Sequence, residues 1–425
     1  MQRYLELNEQ QLKDELAVVR SEYEKCKMKG LKLNIARGKP SSAQLDLVSD
    51  LLTQVTSIDE CYVDGIDTRN YGELSGLQCA RAYWADVLGC RAEQTFVGGS
   101  SSLNFMFDVI SRAYSHGLLR SLRPWCKEEK VKFLCPSPGY DRHFRITEFF
   151  GAELITVAMT PTGPDMDAVE ELVKDPLVKG IWCVPKYSNP DGIIYSDETI
   201  RRFARLKPAA PDFMIMWDNA YCVHEFDGEY VPFPDIISMC EEEGRPDMVF
   251  EFASTSKITF PGAGISVMAS SEANIKYFAH LFSVQMISYD KVNQLRHVKY
   301  LKDKEHTIAL MKRHAEIMRP KFRTVAEALE RHIRPLGIAS WNRPKGGYFI
   351  SLNAMPGTAR RTLTLCEQAG LVMTPAGATF PYGLDPDDSN IRIAPSLPPV
   401  EELDIAADVF CTCLKLAALE KLLEI

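Results

Sequence analysis

Residues 247–270 read DMVFEFASTSKITFPGAGISVMAS: an apolar run, a hydroxyl-rich loop, a glycine-rich turn and a second apolar run. Short continuous apolar runs closed by polar, Gly- or Pro-containing loops suit strands buried on both faces of a mostly parallel sheet. In open sheets of that kind, ligands sit at the carboxyl ends of the strands. Lys257 stands at such an end, after Met248-Val249-Phe250 and beside Ser254, Thr255 and Ser256. A lysine at a strand edge serves as a Schiff-base nucleophile when its neighbours lower its pKa. An isolated lysine would more simply be a loop cation, so the rest of the chain has to decide.

The same texture extends outward. From about residue 94, TFVGG, VKFLC, ELITVAM, GIWCV and FMIMW alternate with helical stretches, which predicts an α/β sheet flanked by helices. Ahead of it, apolar residues at Leu12, Leu16, Val19 and Tyr23 predict a helix from about Asn8 to Met28. Further helices are expected near Leu45 to Thr56 and near Leu77 to Leu88, the latter closed by Gly89. Beyond residue 290 a long helix is expected to break around Pro320. WNRPKGGYFISLN, a helix with LTLCEQAG, the strands LVMTP and IRIAPS and a last helix then make a smaller α+β domain. The expected division is 1–45 as a segment packing with the small domain, 46–294 as the large domain and 295–425 as the small one.

Bulk properties exclude several classes. The chain has 425 residues, 46% apolar and 25% charged, too long for one small core and ordinary for a globular protein. The formal charge is -8 with scattered basic residues, which leaves no footprint for nucleic acid. No apolar stretch reaches the roughly 18 residues of a membrane span. The twelve cysteines lie mostly inside apolar runs and form no CxxC pair, as expected of buried thiols in a reducing, cytoplasmic setting. No metal site is expected.

Five more features join Lys257. Asp218 ends the apolar run FMIMW, where a buried carboxylate needs a cationic partner; as a helix cap it would need none. Tyr221, three residues on, would offer a phenol to the same ligand. SNPDG, at residues 188–192, is first a turn, yet it follows GIWCVP and so puts Asn189 at a strand's carboxyl end. GGSSSLN, at 98–104, precedes an amphipathic helix, so Ser100 and Ser101 suit an anion as well as they suit a cap. PSPGYDRHF offers Tyr140 for stacking on a planar ring and His143 as a partner for Asp218. In NIRIAPS, Arg392 alternates with Ile391 and Ile393, placing a guanidinium on one strand face, fit to hold a carboxylate.

Taken in order, these motifs resemble the fold-type I pyridoxal-phosphate aminotransferases of the class I/II group, over nearly the whole chain. SNPDG, DNAY, STSK and NIR carry the likeness; RGKP, GYDRHF and SKITFPGAG look closest to the MocR-like aspartate aminotransferase subgroup. The resemblance implies a seven-stranded sheet in the large domain and a homodimer. It implies that Lys257 holds pyridoxal 5'-phosphate covalently and carries a proton at Cα. Asp218 would face the pyridine nitrogen with His143 behind it, Tyr221 and Asn189 the phenolic oxygen, and Tyr140 the ring face. Ser100, Ser101, Ser254 and Ser256 would surround the phosphate, with Tyr71 of NYGELSG reaching the neighbouring subunit's phosphate. Gly38 and Arg392 would take the substrate α-carboxylate. One departure stands out: the arginine that many relatives carry eight residues after the lysine is Ile265 here.

For a dicarboxylic substrate a second cation is needed, and Arg142 is the candidate, with Arg37 and Lys39 behind it. Aspartate or glutamate as donor and 2-oxoglutarate as acceptor are the expectation. A lyase or decarboxylase on the same fold is the first alternative. A ligand-sensing domain is the second, disfavoured because RGKP begins at residue 37 and leaves no room for a winged helix ahead of it.

Overall fold

The computed structural model describes residues 3–425. Eight strands build the central sheet: β1 (Thr95–Gly98), β2 (Lys132–Ser137), β3 (Glu153–Thr160), β4 (Gly163–Pro164), β5 (Val178–Cys183), β6 (Met214–Asp218), β7 (Val249–Ser254) and β8 (Ser266–Ala269). Their spatial order is β1-β8-β7-β6-β5-β2-β3-β4. Seven of them are the predicted strands; the eighth, β4, is a two-residue edge ribbon. β3, β2, β5, β6 and β7 pair in parallel, and β8 runs antiparallel between β7 and β1. β1 therefore points the same way as the parallel set, and the ends of β1, β2, β5, β6 and β7 share one edge.

The sheet is buried on both faces, and the side chains alternate between them as a period of two requires. Val97, Leu134, Ile181, Ile215 and Trp217 enter one core. Phe96, Phe133, Trp182, Met214 and Met216 enter the other. Such strands read as unbroken apolar runs, which is why they were legible.

Five helices matter for the site: α1 (Glu9–Met28), α2 (Ser102–Ser115), α3 (Asp141–Phe149), α4 (Lys304–His332) and α5 (Val400–Leu422). Asn8 and Gln11 close α1 with a reciprocal capping box, and its buried residues are the four foreseen. Gly89, at φ 85°, ends the helix Gln78–Leu88 in the left-handed conformation that glycine adopts freely. A third core unites α1, the second half of α4, α5 and a three-stranded antiparallel sheet, β9 (Ala339–Trp341), β10 (Ile350–Ala354) and β11 (Asn390–Ile393). The 33–35 segment pairs with Leu371–Val372, and Ala394 donates to the Ile35 carbonyl, which brings Gly38 beside β11.

Two expectations are corrected. The helix foreseen over Leu45 to Thr56 is a short helix, Ser42–Asp46, and a 3-10 turn, Ser49–Thr53. Val48 and Leu51, three apart and fully buried, suit the tighter turn. The long helix breaks not at Pro320 but at Lys302, whose φ is 62°, and Asp303 caps its second half by accepting from His306 N. α4 runs straight through Pro320. Met318, Phe322 and Val325 stay buried across it, and that packing offsets the roughly 3 kcal/mol that an interior proline costs.

Candidate active site

A cavity of about 860 Å3 opens where the strand ends meet the small sheet, within the range of small-molecule sites. Its wall draws on Gly38, Ser101, Tyr140, Arg142, Asn189, Asp218, Tyr221, Ser254, Ser256, Lys257 and Arg392. These come from loops far apart in sequence, brought together by one sheet edge and β11.

Asp218 ends β6 and is 4% exposed. His143 Nε2 lies 2.8 Å from its Oδ2. The imidazole stacks on Trp182 at 4.4 Å with the planes 8° apart, and Tyr140 meets it edge-on. Asp218 Oδ1 is sealed from water and has no partner among the described residues. A buried carboxylate oxygen left this way is destabilising unless a donor, best a cationic one, completes it. Tyr140 directly precedes α3 and lines the cavity; burial, then the charge of Asp218, pushes its phenol up to about 12.

Lys257 closes a 3-10 turn directly after β7. Its Nζ lies over the rings of Tyr221, at 5.2 Å, and Tyr348, at 5.8 Å. Burial pushes the amine's pKa down while Asp218 pulls it up. Burial first, and then nearby acidic groups, hold the Tyr221 phenol well above its ordinary range, so it remains a donor. The loop carrying Tyr221 is pinned by Lys186, which is fully buried. Lys186 Nζ donates to the carbonyls of Cys222 and Val231 at 2.8 Å each and pairs with Glu225 at 2.6 Å.

Ser101 occupies the N-cap position of α2 without a side-chain capping bond, so the first turn leaves free N–H groups beside the cavity. Ser254 and Ser256 face each other at 2.8 Å between hydroxyl oxygens. Ser100 contributes differently from the expectation: its carbonyl accepts from the Ser256 hydroxyl at 3.2 Å, and the cavity wall is formed by Ser101 and Ser102. Ile265 is buried, and its N–H donates to Thr255 Oγ1.

Arg392 is 8% exposed, not the surface arginine that a strand position also allows. Its Nη1 donates to Asn189 Oδ1 and to Asp141 Oδ1, both at 3.2 Å, and its plane lies over Phe349. Gly38 is required by the same ring: a Cβ there would stand 2.7 Å from Phe349 Cζ. Arg142 is exposed at the mouth, with Arg37, Lys39 and Arg145 also on the wall.

His143 and Ser100 stand behind the cavity wall, and Tyr71 is the expected residue that lies away from it. It is 79% exposed, and Lys291 Nζ grips the carbonyls on either side of it, Asn70 and Gly72. Sequence reasoning missed Ser102, Asp141, Arg145, Tyr348 and Phe349. Asp141 and Arg145 lie in or beside the GYDRHF motif already singled out, and Tyr348 and Phe349 follow the glycine pair of KGGYF, so a signal was there without an assigned role. No cluster of metal-ligating side chains occurs among the described residues.

The aspartate amino-transferase family profile matches residues 7–425. The chain is 48% identical over 402 residues to an aspartate aminotransferase of Corynebacterium glutamicum, covering 95% of this chain and 93% of that one. A crystal structure of an aspartate transaminase from the same species superposes with a TM-score of 0.96 at 47% identity, covering 98% of each chain. An alpha-aminoadipate aminotransferase of Thermus thermophilus, solved with N-(5'-phosphopyridoxyl)-L-leucine, shares the fold at a TM-score of 0.74 and 20% identity, over 93% of this chain and 95% of that one. The architecture is the α/β fold of type I pyridoxal-phosphate enzymes.

Proposed function

The chain belongs to the aspartate aminotransferase family and is an aminotransferase, and from that premise we propose its substrates, cofactor and chemistry. It moves the amino group of an L-amino acid, aspartate or glutamate, to a 2-oxo acid, 2-oxoglutarate when aspartate is the donor, by a ping-pong mechanism through a Schiff base at Lys257, with pyridoxal 5'-phosphate as cofactor. The observation that carries this reading is the unpartnered, buried Oδ1 of Asp218 on the cavity wall, backed by His143 on the other oxygen. It suits a protonated ring nitrogen.

When bound, the cofactor supplies an electron sink for the pair left at the substrate Cα. The protein's own groups do the rest. The lowered pKa of Lys257 favours the neutral amine, able to attack a carbonyl and to take and return a proton. Tyr221 and Asn189 would hold the ring oxygen, and Tyr140 would cover the ring face. The α2 N-terminus with Ser101, Ser254 and Ser256, and Ser100 behind them, would receive the phosphate. Ile265 implies that hydroxyls and amides carry more of that task. Arg392 and Gly38 take the α-carboxylate. Tyr71, held outward by Lys291, fits a homodimer in which it reaches a partner's site. The division into 1–45, 46–294 and 295–425 belongs to the same reading, supported by α1 sharing a core with α5 and β9–β11. A cytoplasmic setting is supported by twelve unpaired cysteines, most of them buried.

An absorbance spectrum before and after adding aspartate tests the whole reading. A cofactor band that shifts to the shorter-wavelength amine form, with a keto acid as product, is the expected result. No band even after incubation with the cofactor would sink it; loss of carbon dioxide would point to the decarboxylase alternative. Arg142→Ala is expected to lower kcat/KM for aspartate by roughly tenfold or more, as loss of a charged hydrogen bond does, and to spare alanine. Equal loss for both amino acids would remove Arg142 from the distal-carboxylate role.

A further inference from the structure

Arg392 already holds a carboxylate of its own chain. Its Nη1 is 3.2 Å from Asp141 Oδ1, with the arginine side chain 8% exposed and the aspartate 30%. Three acidic side chains line the cavity. Asp218 is bonded to His143, and Glu148 lies two helical turns away on α3. Asp141 is thus the carboxylate that faces the guanidinium at the position read above as the α-carboxylate site. A guanidinium has five N–H donors, but two carboxylates crowded on one edge repel each other.

We propose that Asp141 is a resident stand-in for the substrate α-carboxylate, occupying Arg392 until a ligand carboxylate displaces it. This rests on the reading of Arg392 as the α-carboxylate site. The exchange is carboxylate for carboxylate, so Arg392 is neutralised before and after. The released charge is not stranded. Asp141 is the first residue of α3, where free backbone N–H groups and the helix dipole favour an anion. Asn189 Oδ1 keeps its own 3.2 Å bond to Nη1 throughout, which holds the guanidinium in register while its carboxylate partner changes. Asp141 is on this account a positioning residue that tunes affinity. It spares the empty site an unpaired buried cation, and every carboxylate ligand competes with it.

The test is equilibrium binding of succinate and of propionate, which lack an amino group, to the holoenzyme and to Asp141→Asn and Asp141→Ala. Both variants are expected to bind both probes roughly two- to fivefold more tightly, the scale of a part-exposed ion pair removed from the competition. Damage to the fold lowers affinity, so a gain is a readout that a merely structural role would not produce. Weaker binding by both variants would mean that Asp141 orients Arg392 and is not displaced, which overturns the proposal. A gain for succinate alone would place the effect at the cationic mouth and overturn it as well. Arg392→Gln, measured alongside, is expected to weaken both probes; if it does not, the α-carboxylate reading fails and takes the proposal with it.

Discussion

Replacing Lys257 with alanine is expected to lower kcat for transamination of aspartate by at least about three orders of magnitude, with the fold intact. The size of the effect follows from how much rests on one atom. Nζ is the amine nearest the Tyr221 and Tyr348 rings, in a pocket whose burial lowers its pKa. Arg142, Arg145, Arg37 and Lys39 lie on the outer wall, and Arg392 is engaged with Asn189 and Asp141. Removal of general acid-base catalysis alone accounts for a factor of about a hundred to ten thousand. Single-turnover formation of the keto acid measures the loss. Near-normal turnover by the alanine variant would exclude Lys257 from both roles. Added methylamine restoring part of the rate would point to the missing amine and not to a collapsed pocket.

Asp218→Asn is expected to be nearly as severe. Asparagine keeps the shape and a bond to His143 but removes the charge that a protonated ring nitrogen requires. Opposite charges about 4 Å apart at an effective dielectric of about 20 interact by about 4 kcal/mol, or roughly three decades in rate. The change is therefore expected to lower kcat by about a thousandfold with little effect on the melting temperature. Asp218→Glu, which restores the charge at a displaced position, recovers part of the loss. If the asparagine variant stays within tenfold of the parent, the buried Oδ1 serves something other than a cationic ring.

Both variants test residues that stood out in the sequence, and for one reason. A strand buried on both faces is an unbroken apolar run, so any charged residue at its carboxyl end is conspicuous. Asp218 after FMIMW and Lys257 after VFEFASTS were legible on those terms, as were the seven main strands. Arg392 was found from its alternation, but its burial was not, because the covering ring of Phe349 arrives from another segment. Asp141 and Arg145 were passed over because a charged residue in a helix reads as a solvated face until the partner is placed. Ser102 and Ser100 differ only in which way the loop turns, and no local signal carries that. The break at Lys302 was missed for a similar reason. Pro320 is the stronger breaker in isolation, and only the core packed against α4 overrides it.

The cavity has another consequence through its ancestry in the chain. Lys257 follows a strand of the large sheet, while Arg392 belongs to the small one, and Gly38 enters from the amino-terminal segment. A ligand touching all three ties the end of a large-sheet strand to the small sheet and to the amino-terminal segment. Its binding free energy opposes any motion that parts them, by mass action on the closed form. Two of its anchors are β11 and the 33–39 segment, so parting either from the large sheet also breaks the ligand's contacts. Local opening of either piece then costs, beyond its own contacts, the free energy of releasing the ligand.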